Sequence, residues 1–234
     1  MRKILLLFVT AVTLAGCTHN LKFFKASPEE VIWKNDFVKF RTDKDKGNRI
    51  AFDAFVTPSN GKTVEMPSDT VALGYGASSP IGDMGFYKPD KGASMAEVLS
   101  LTDQEIVLHL HYDSWDIYDA PVTLDKQITL KGDNPVMKVI DYYTGAFELL
   151  NVAAGVTLAG AGTVHEIDNG FSIRYPSGIT ALICMPDADE CFVRDSLGTV
   201  LVRKAVRSDE PLRYYVGLSD KGESYLLEQL DNLF

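Results

Sequence analysis

Val122-Thr123-Leu124-Asp125-Lys126-Gln127-Ile128-Thr129-Leu130 is the stretch that decides the fold class. Mainly apolar side chains fill its even positions, and Thr123, Asp125, Gln127 and Thr129 fill the odd ones. That period of two belongs to a half-buried antiparallel strand. Runs of the same kind recur near residues 37–41, 49–56, 95–101, 105–112, 136–143, 148–158, 163–167, 171–175, 180–185, 199–206 and 212–218. Turn-forming residues separate them: Ser59-Asn60-Gly61, Lys131-Gly132-Asp133-Asn134-Pro135, Asp168-Asn169-Gly170 and Tyr175-Pro176-Ser177-Gly178. Many short strands without intervening helical patterns predict an all-β chain folded as an antiparallel β-sandwich. One helix is expected, short and C-terminal, with Asp220 as cap, Glu223 as its reciprocal carboxylate, and Leu226, Leu227, Leu230, Leu233 and Phe234 on one stripe.

The N-terminus carries a different signal. Met1-Arg2-Lys3 is basic, Ile4 to Ala15 is apolar and too short to span a bilayer, and Leu14-Ala15-Gly16-Cys17 follows. This is a secretory signal, and Leu-Ala-Gly-Cys resembles the lipobox of bacterial lipoproteins, which implies acylation of Cys17. The expected division is therefore a signal peptide over 1–16, a lipidated tether over 17–27 and one β-domain over 28–234, held at the cell envelope by a lipid anchor. Thr18 in place of Asp favours the outer membrane. The formal charge is −9, and removing Arg2 and Lys3 with the signal leaves −11. An acidic chain with no basic cluster argues against nucleic acid as a partner.

In an exported protein Cys184 and Cys191 flank a Pro/Asp-rich turn and either close a hairpin loop as a disulfide or stay as two buried thiols. No cofactor motif is evident. Calcium is the one ion with any sequence signal, in the acidic turns Asp43-Lys44-Asp45-Lys46-Gly47-Asn48 and Asp187-Ala188-Asp189-Glu190. Residues 69–93 form the longest irregular stretch, and glycines 74, 76, 82 and 85 suit either a binding loop or a surface insertion.

The densest chemistry lies in Glu105 to Tyr118. Alternation puts His109, His111 and Asp113 on the face opposite Ile106, Leu108, Leu110 and Tyr112, with Trp115 and Tyr118 at the strand end. Two imidazoles and a carboxylate on one face could bind a ligand, move protons or ligate a metal, and the aromatics could stack on a sugar; a plainly solvated face has the same appearance.

Asn48-Arg49-Ile50-Ala51-Phe52, then Leu110-His111-Tyr112-Asp113-Ser114-Trp115-Asp116-Ile117 with Lys126-Gln127-Ile128-Thr129-Leu130 and Gly155-Val156, and finally Tyr214-Tyr215-Val216-Gly217-Leu218 resemble the motifs of bacterial domain-of-unknown-function family 4861. The resemblance implies a galactose-mutarotase-like super-sandwich, export, and company with polysaccharide-degrading systems. This chain departs from the family pattern in lacking a histidine before the glycine-rich loop and in carrying Leu218 where the family has Trp. The functional expectation is an envelope lipoprotein that binds or processes polysaccharide or oligosaccharide. The rival is a non-catalytic lipoprotein whose β-domain docks a partner protein.

Overall fold

The alternating runs pair antiparallel throughout. The computed structural model describes residues 21–27, 30–42, 50–69 and 71–234 and is an all-β sandwich with one short helix, as the strand pattern predicts. In chain order the strands are β1 (Lys22–Ser27), β2 (Glu30–Lys34), β3 (Val38–Thr42), β4 (Phe52–Val56), β5 (Val64–Glu65), β6 (Ser78–Gly82), β7 (Gly85–Phe86), β8 (Met95–Leu101) and β9 (Glu105–Ile117). They continue as β10 (Ala120–Lys131), β11 (Val136–Gly145), β12 (Leu150–Thr157), β13 (Thr163–Ile167), β14 (Gly170–Arg174), β15 (Thr180–Cys184), β16 (Glu190–Arg194), β17 (Thr199–Val206) and β18 (Pro211–Ser219), before helix α1 (Glu223–Asp231).

Strands β1 to β5 make a meander. The second sheet has eight strands in the order β13-β14-β15-β18-β11-β10-β9-β8, and the third has five in the order β16-β17-β12-β6-β7. One apolar core joins all three sheets, with Trp33, Phe40, Leu73, Ile106, Leu110, Val139, Val156 and Leu201 fully buried. Apolar burial on this scale, at about 25 cal/mol per Å² removed from water, is what holds the sheets together. Asn35 locks the meander to the large sheet: its amide nitrogen donates to the carbonyls of Lys131 (2.7 Å) and Asn134 (2.8 Å), while its oxygen accepts from the backbone of Phe37 and Val38.

One fully buried pair of core positions is charged. Lys126 on β10 and Asp141 on β11 both point inward and are fully buried. Lys126 Nζ donates to Asp141 Oδ2 (2.8 Å), to the Gly76 carbonyl (3.0 Å) and to the Tyr214 hydroxyl (2.9 Å). The Ser78 hydroxyl on β6 also donates to Asp141, and Tyr143 lies 2.8 Å from Ser78 Oγ. Burial pulls the Lys126 ammonium below its ordinary pKa, with Asp141 opposing that shift. The cluster joins the eight-stranded sheet to the five-stranded one by polar bonds in a dry interior, where each is strong and a missing partner is costly. Gly76 must be glycine here: it sits at φ 71°, and a Cβ would lie 2.5 Å from the Phe52 ring.

Four sequence expectations are corrected by this architecture. The tether expected over 17–27 gives way at Lys22 to β1, because Phe23 and Phe24 find Trp33 and Ile32 opposite them; Cys17 itself lies outside the described residues. The irregular stretch 69–93 contains β6 and β7, with Ala77, Ser78 and Ser79 in the core. Cys184 and Cys191 are free thiols, and the segment between them is a crossover and not a hairpin, since β15 pairs with β14 and β18 while β16 pairs with β17. Helix α1 begins after Gly222 with no side-chain cap. Asp220 instead accepts from Ser59, and Glu223 reaches the sheet to accept from Ser172 and His165. The helix packs Leu226 and Leu230 on the outer face of the large sheet, where Gly217 leaves the room that a Cβ, 3.0 Å from Leu226, would take.

Replacing Lys126 with Met strands Asp141 in the core and should cost about 3–5 kcal/mol in urea unfolding. The double variant Lys126→Met with Asp141→Leu should recover part of that loss. A double variant as unstable as the sum of the two single changes would show that the pair is not coupled.

Candidate functional site

The register of β9 on β10 sets His111 directly opposite Asp125, and His109 one pair further along, opposite Gln127. All three face outward from the eight-stranded sheet. His109 Nε2 (2.8 Å) and His111 Nδ1 (2.9 Å) both donate to the same oxygen, Asp125 Oδ1. Burial raises the Asp125 carboxyl, but the hydrogen bonds from His111 and His109 and their nearby charge outweigh it, so it sits below its ordinary value. One carboxylate thus fixes two rings and leaves His109 Nδ1 and His111 Nε2 directed elsewhere. Asp113 is mostly exposed, accepts from Ser94 Oγ (2.8 Å) and lies 3.9 Å from His111 Nε2. Two imidazoles held by one carboxylate can relay or accept protons.

Strand β9 does not carry its aromatics to this face. Asp113 and Ser114 together oppose the single residue Thr123, a β-bulge that reverses the alternation. Trp115 is therefore turned into the core, 8% exposed, with its indole donating to the Tyr87 carbonyl at 2.9 Å. It is not at the rim of the histidine face. Tyr118 is 68% exposed and lies at the far end of the sandwich, in a two-residue hairpin turn with Asp119 in which both residues have positive φ. Its ring packs against Tyr87 at 4.7 Å between centroids. The residues proposed as one site are thus in two places, roughly 20 Å apart by strand rise.

Tyr118 stands instead over a groove. On its apolar side is a recess of about 260 Å³ lined by Pro80, Ile117, Val122, Phe147, Leu149 and Leu150. Next to it, a second recess of about 240 Å³ is lined by Gly82, Asp83, Phe192, Arg194 and Arg203. Ile81, Tyr118 and Asn151 line both. The pairings of β16 with β17, β17 with β12 and β12 with β6 put Arg194, Phe192, Arg203, Asn151 and Ile81 on one face of the five-stranded sheet. Ser78 on the opposite face meets Asp141, so the groove face looks away from the large sheet. Arg194 donates to the carbonyls of Gly82 (3.2 Å) and Asp83 (2.6 Å), which folds the β6–β7 turn over the recess. Arg203 pairs with Glu190 at 2.7 Å, its directly opposed neighbour. Together the two recesses enter the size range of small-molecule sites, ~300–1,000 Å³.

The acidic turns take no shared role. Asp189 accepts from the Ala205 backbone at 2.7 Å and Glu190 is held by Arg203. The turn at 43–48 lies outside the described residues, and among those described there is no group of three or more side chains disposed to hold a metal ion.

No family model matches this chain, and no curated protein does. Among solved structures it is similar to a putative kojibiose phosphorylase from human microbiome, at 12% identity and a TM-score of 0.44 over 92% of this chain and 35% of that one. It is also similar to the heparan sulfate lyase HepC from Pedobacter heparinus, at 12% identity and a TM-score of 0.47 over 85% of this chain and 35% of that one. The chain spans about a third of the length of each.

Asp125 is the member of the histidine cluster that the sequence reading passed over, and it allows a check by pH. A carboxyl whose folded pKa is depressed stabilises the fold above its unfolded value and loses that contribution as pH falls through the folded pKa. Melting temperatures of the wild type and Asp125→Asn should therefore differ at pH 7, with the wild type higher, and converge below about pH 4. A gap that persists unchanged in acid would mean that Asp125 matters for its shape and not for its charge.

Proposed function

We propose that this protein is an envelope lipoprotein, acylated at Cys17, whose sandwich binds glycan in the groove beneath Tyr118. The carrying observation is the meeting of two unlike walls along one groove. Tyr118, Phe147, Leu149 and Ile117 offer apolar surface, and Asn151, Asp83, Arg194 and Arg203 offer hydrogen-bonding groups. A pyranose ring has the matching division, with a C–H face that packs on aromatic and aliphatic carbon and a rim of hydroxyls that needs fixed donors and acceptors. The short motifs that resemble those of family 4861, and the lipobox-like Leu14-Ala15-Gly16-Cys17, support the same setting, a glycan-handling protein on the outer side of a membrane.

Binding is the activity this groove supports. The histidine cluster lies too far along β9 to act on a sugar held at Tyr118. The full-length chain in detergent should be retained in gels containing its target polysaccharide. Tyr118→Asn keeps a residue that tolerates positive φ while removing the ring, and should weaken retention about fivefold without lowering the melting temperature. A wild-type chain that no glycan in a broad panel retards would sink the reading and favour the protein-docking rival. The anchor has its own check. Cys17→Ser should move the protein out of the membrane fraction and end labelling by a fatty-acid analogue.

A further inference from the structure

We infer that the polar half of the groove selects acidic sugars, recognising a carboxylate or sulfate group carried on the glycan; this rests on the glycan-binding reading above. Register brings two arginines to one recess of a chain whose net charge is −9. Arg194 is satisfied only by neutral partners, the carbonyl oxygens of Gly82 and Asp83, so its positive charge is not cancelled by a carboxylate among the described residues. Arg203 uses Nη2 on Glu190, while its Nε is buried with no hydrogen-bond partner. That Nε is sealed inside the protein, so the groups offered to a ligand are the outer N–H groups of the two guanidiniums that line the recess, which suit a planar or tetrahedral anion that accepts several N–H bonds in a fork. Asp83 and Asn151 complete the lining. Asp83 can accept from neighbouring sugar hydroxyls, and Asn151 can both donate and accept.

A neutral sugar would leave Arg194 without a charge partner, since Arg203 already has Glu190. The apolar half, with Tyr118 at the junction, would hold the adjoining ring whatever its charge. Affinity therefore divides into a ring-stacking part that is insensitive to salt and an ionic part that salt screens.

The experiment uses the full-length protein in detergent and isothermal titration with matched probes. These are an oligogalacturonate and its methyl ester, which cancels the charge while keeping the ring, and a sulfated galactan oligomer with its desulfated form. The acidic member of at least one pair should bind about tenfold more tightly than its neutral counterpart, and whichever pair shows the preference identifies the anion. That preference should shrink as NaCl rises from about 0.05 to about 0.5 M. Arg203→Gln should remove most of the preference by lowering affinity for the acidic member far more than for the neutral one, and Arg194→Gln provides a second variant should the first fold poorly. Equal affinity within every pair on the wild-type protein overturns the inference and leaves glycan binding standing. Binding of no probe, charged or neutral, together with no glycan retention in gels, overturns both.

Discussion

Everything else in this molecule is arranged around one buried ion pair. Lys126 and Asp141 sit on adjacent strands, face the same interior, and reach between them Ser78, Gly76 and Tyr214. Those partners come from β6 with the turn before it and from β18, so a few bonds tie two separate parts of the chain to β10 and β11. Apolar packing provides most of the stability but does not by itself choose a register, because one hydrophobic residue fits a neighbour's place tolerably well. A buried charge has no such tolerance. Sliding β6 so that Ala77 took the place of Ser78 would leave an anion in the core with fewer donors. The position of β6, and therefore of the turn that roofs the groove, follows from that requirement.

The β-bulge in β9 has an equally long reach. A regular strand would have kept Trp115 on the histidine face, beside Asp113. One extra residue sends it inward, where it closes the core against the 87–88 backbone and lets the hairpin tip carry Tyr118 out over the end of the sandwich. Bulges of this kind re-aim side chains next to functional surfaces. The face left behind, with His109 and His111 locked on Asp125, becomes a fixed polar surface on the outside of the large sheet.

How much of this could be read from the residues depends on whether the information is local. Strands β8, β13 and β17 have the bounds expected from alternation, because period two and the turn residues around them are contained in the segment itself. Lys126 was also visible, as a lysine in the apolar phase of the clearest strand, although its partner on β11 was not. What was hidden is what pairing decides. Ser78–Gly82, with Pro80 at its centre, becomes a strand where β12 lies beside it, and β1 forms against Trp33 and Ile32. The bulge that redirects Trp115 has no local mark. Arg194, Arg203, Asn151 and Ile81 come from four strands, and nothing in one segment announces that the others will share its face. Asp125 was in plain sight, but the two histidines it orients could be assigned to it only once β9 was in register with β10.

The order of the eight-stranded sheet has a consequence for how the chain acquires this structure. Among the described residues its two halves, β13-β14-β15 and β11-β10-β9-β8, are bridged by β18, which follows all of them in chain order. Until residues 211–219 arrive, β15 and β11 each present an open edge, and Lys126 lacks the Tyr214 hydroxyl. A chain made N-terminus first therefore holds two incomplete half-sheets until β18 is in place. Closure depends on contacts between residues far apart in sequence, which makes it slow and exposes unpaired backbone to other copies in the meantime. The interval in which those strand edges stay open, before β18 seals the sheet, is when self-association competes most with folding.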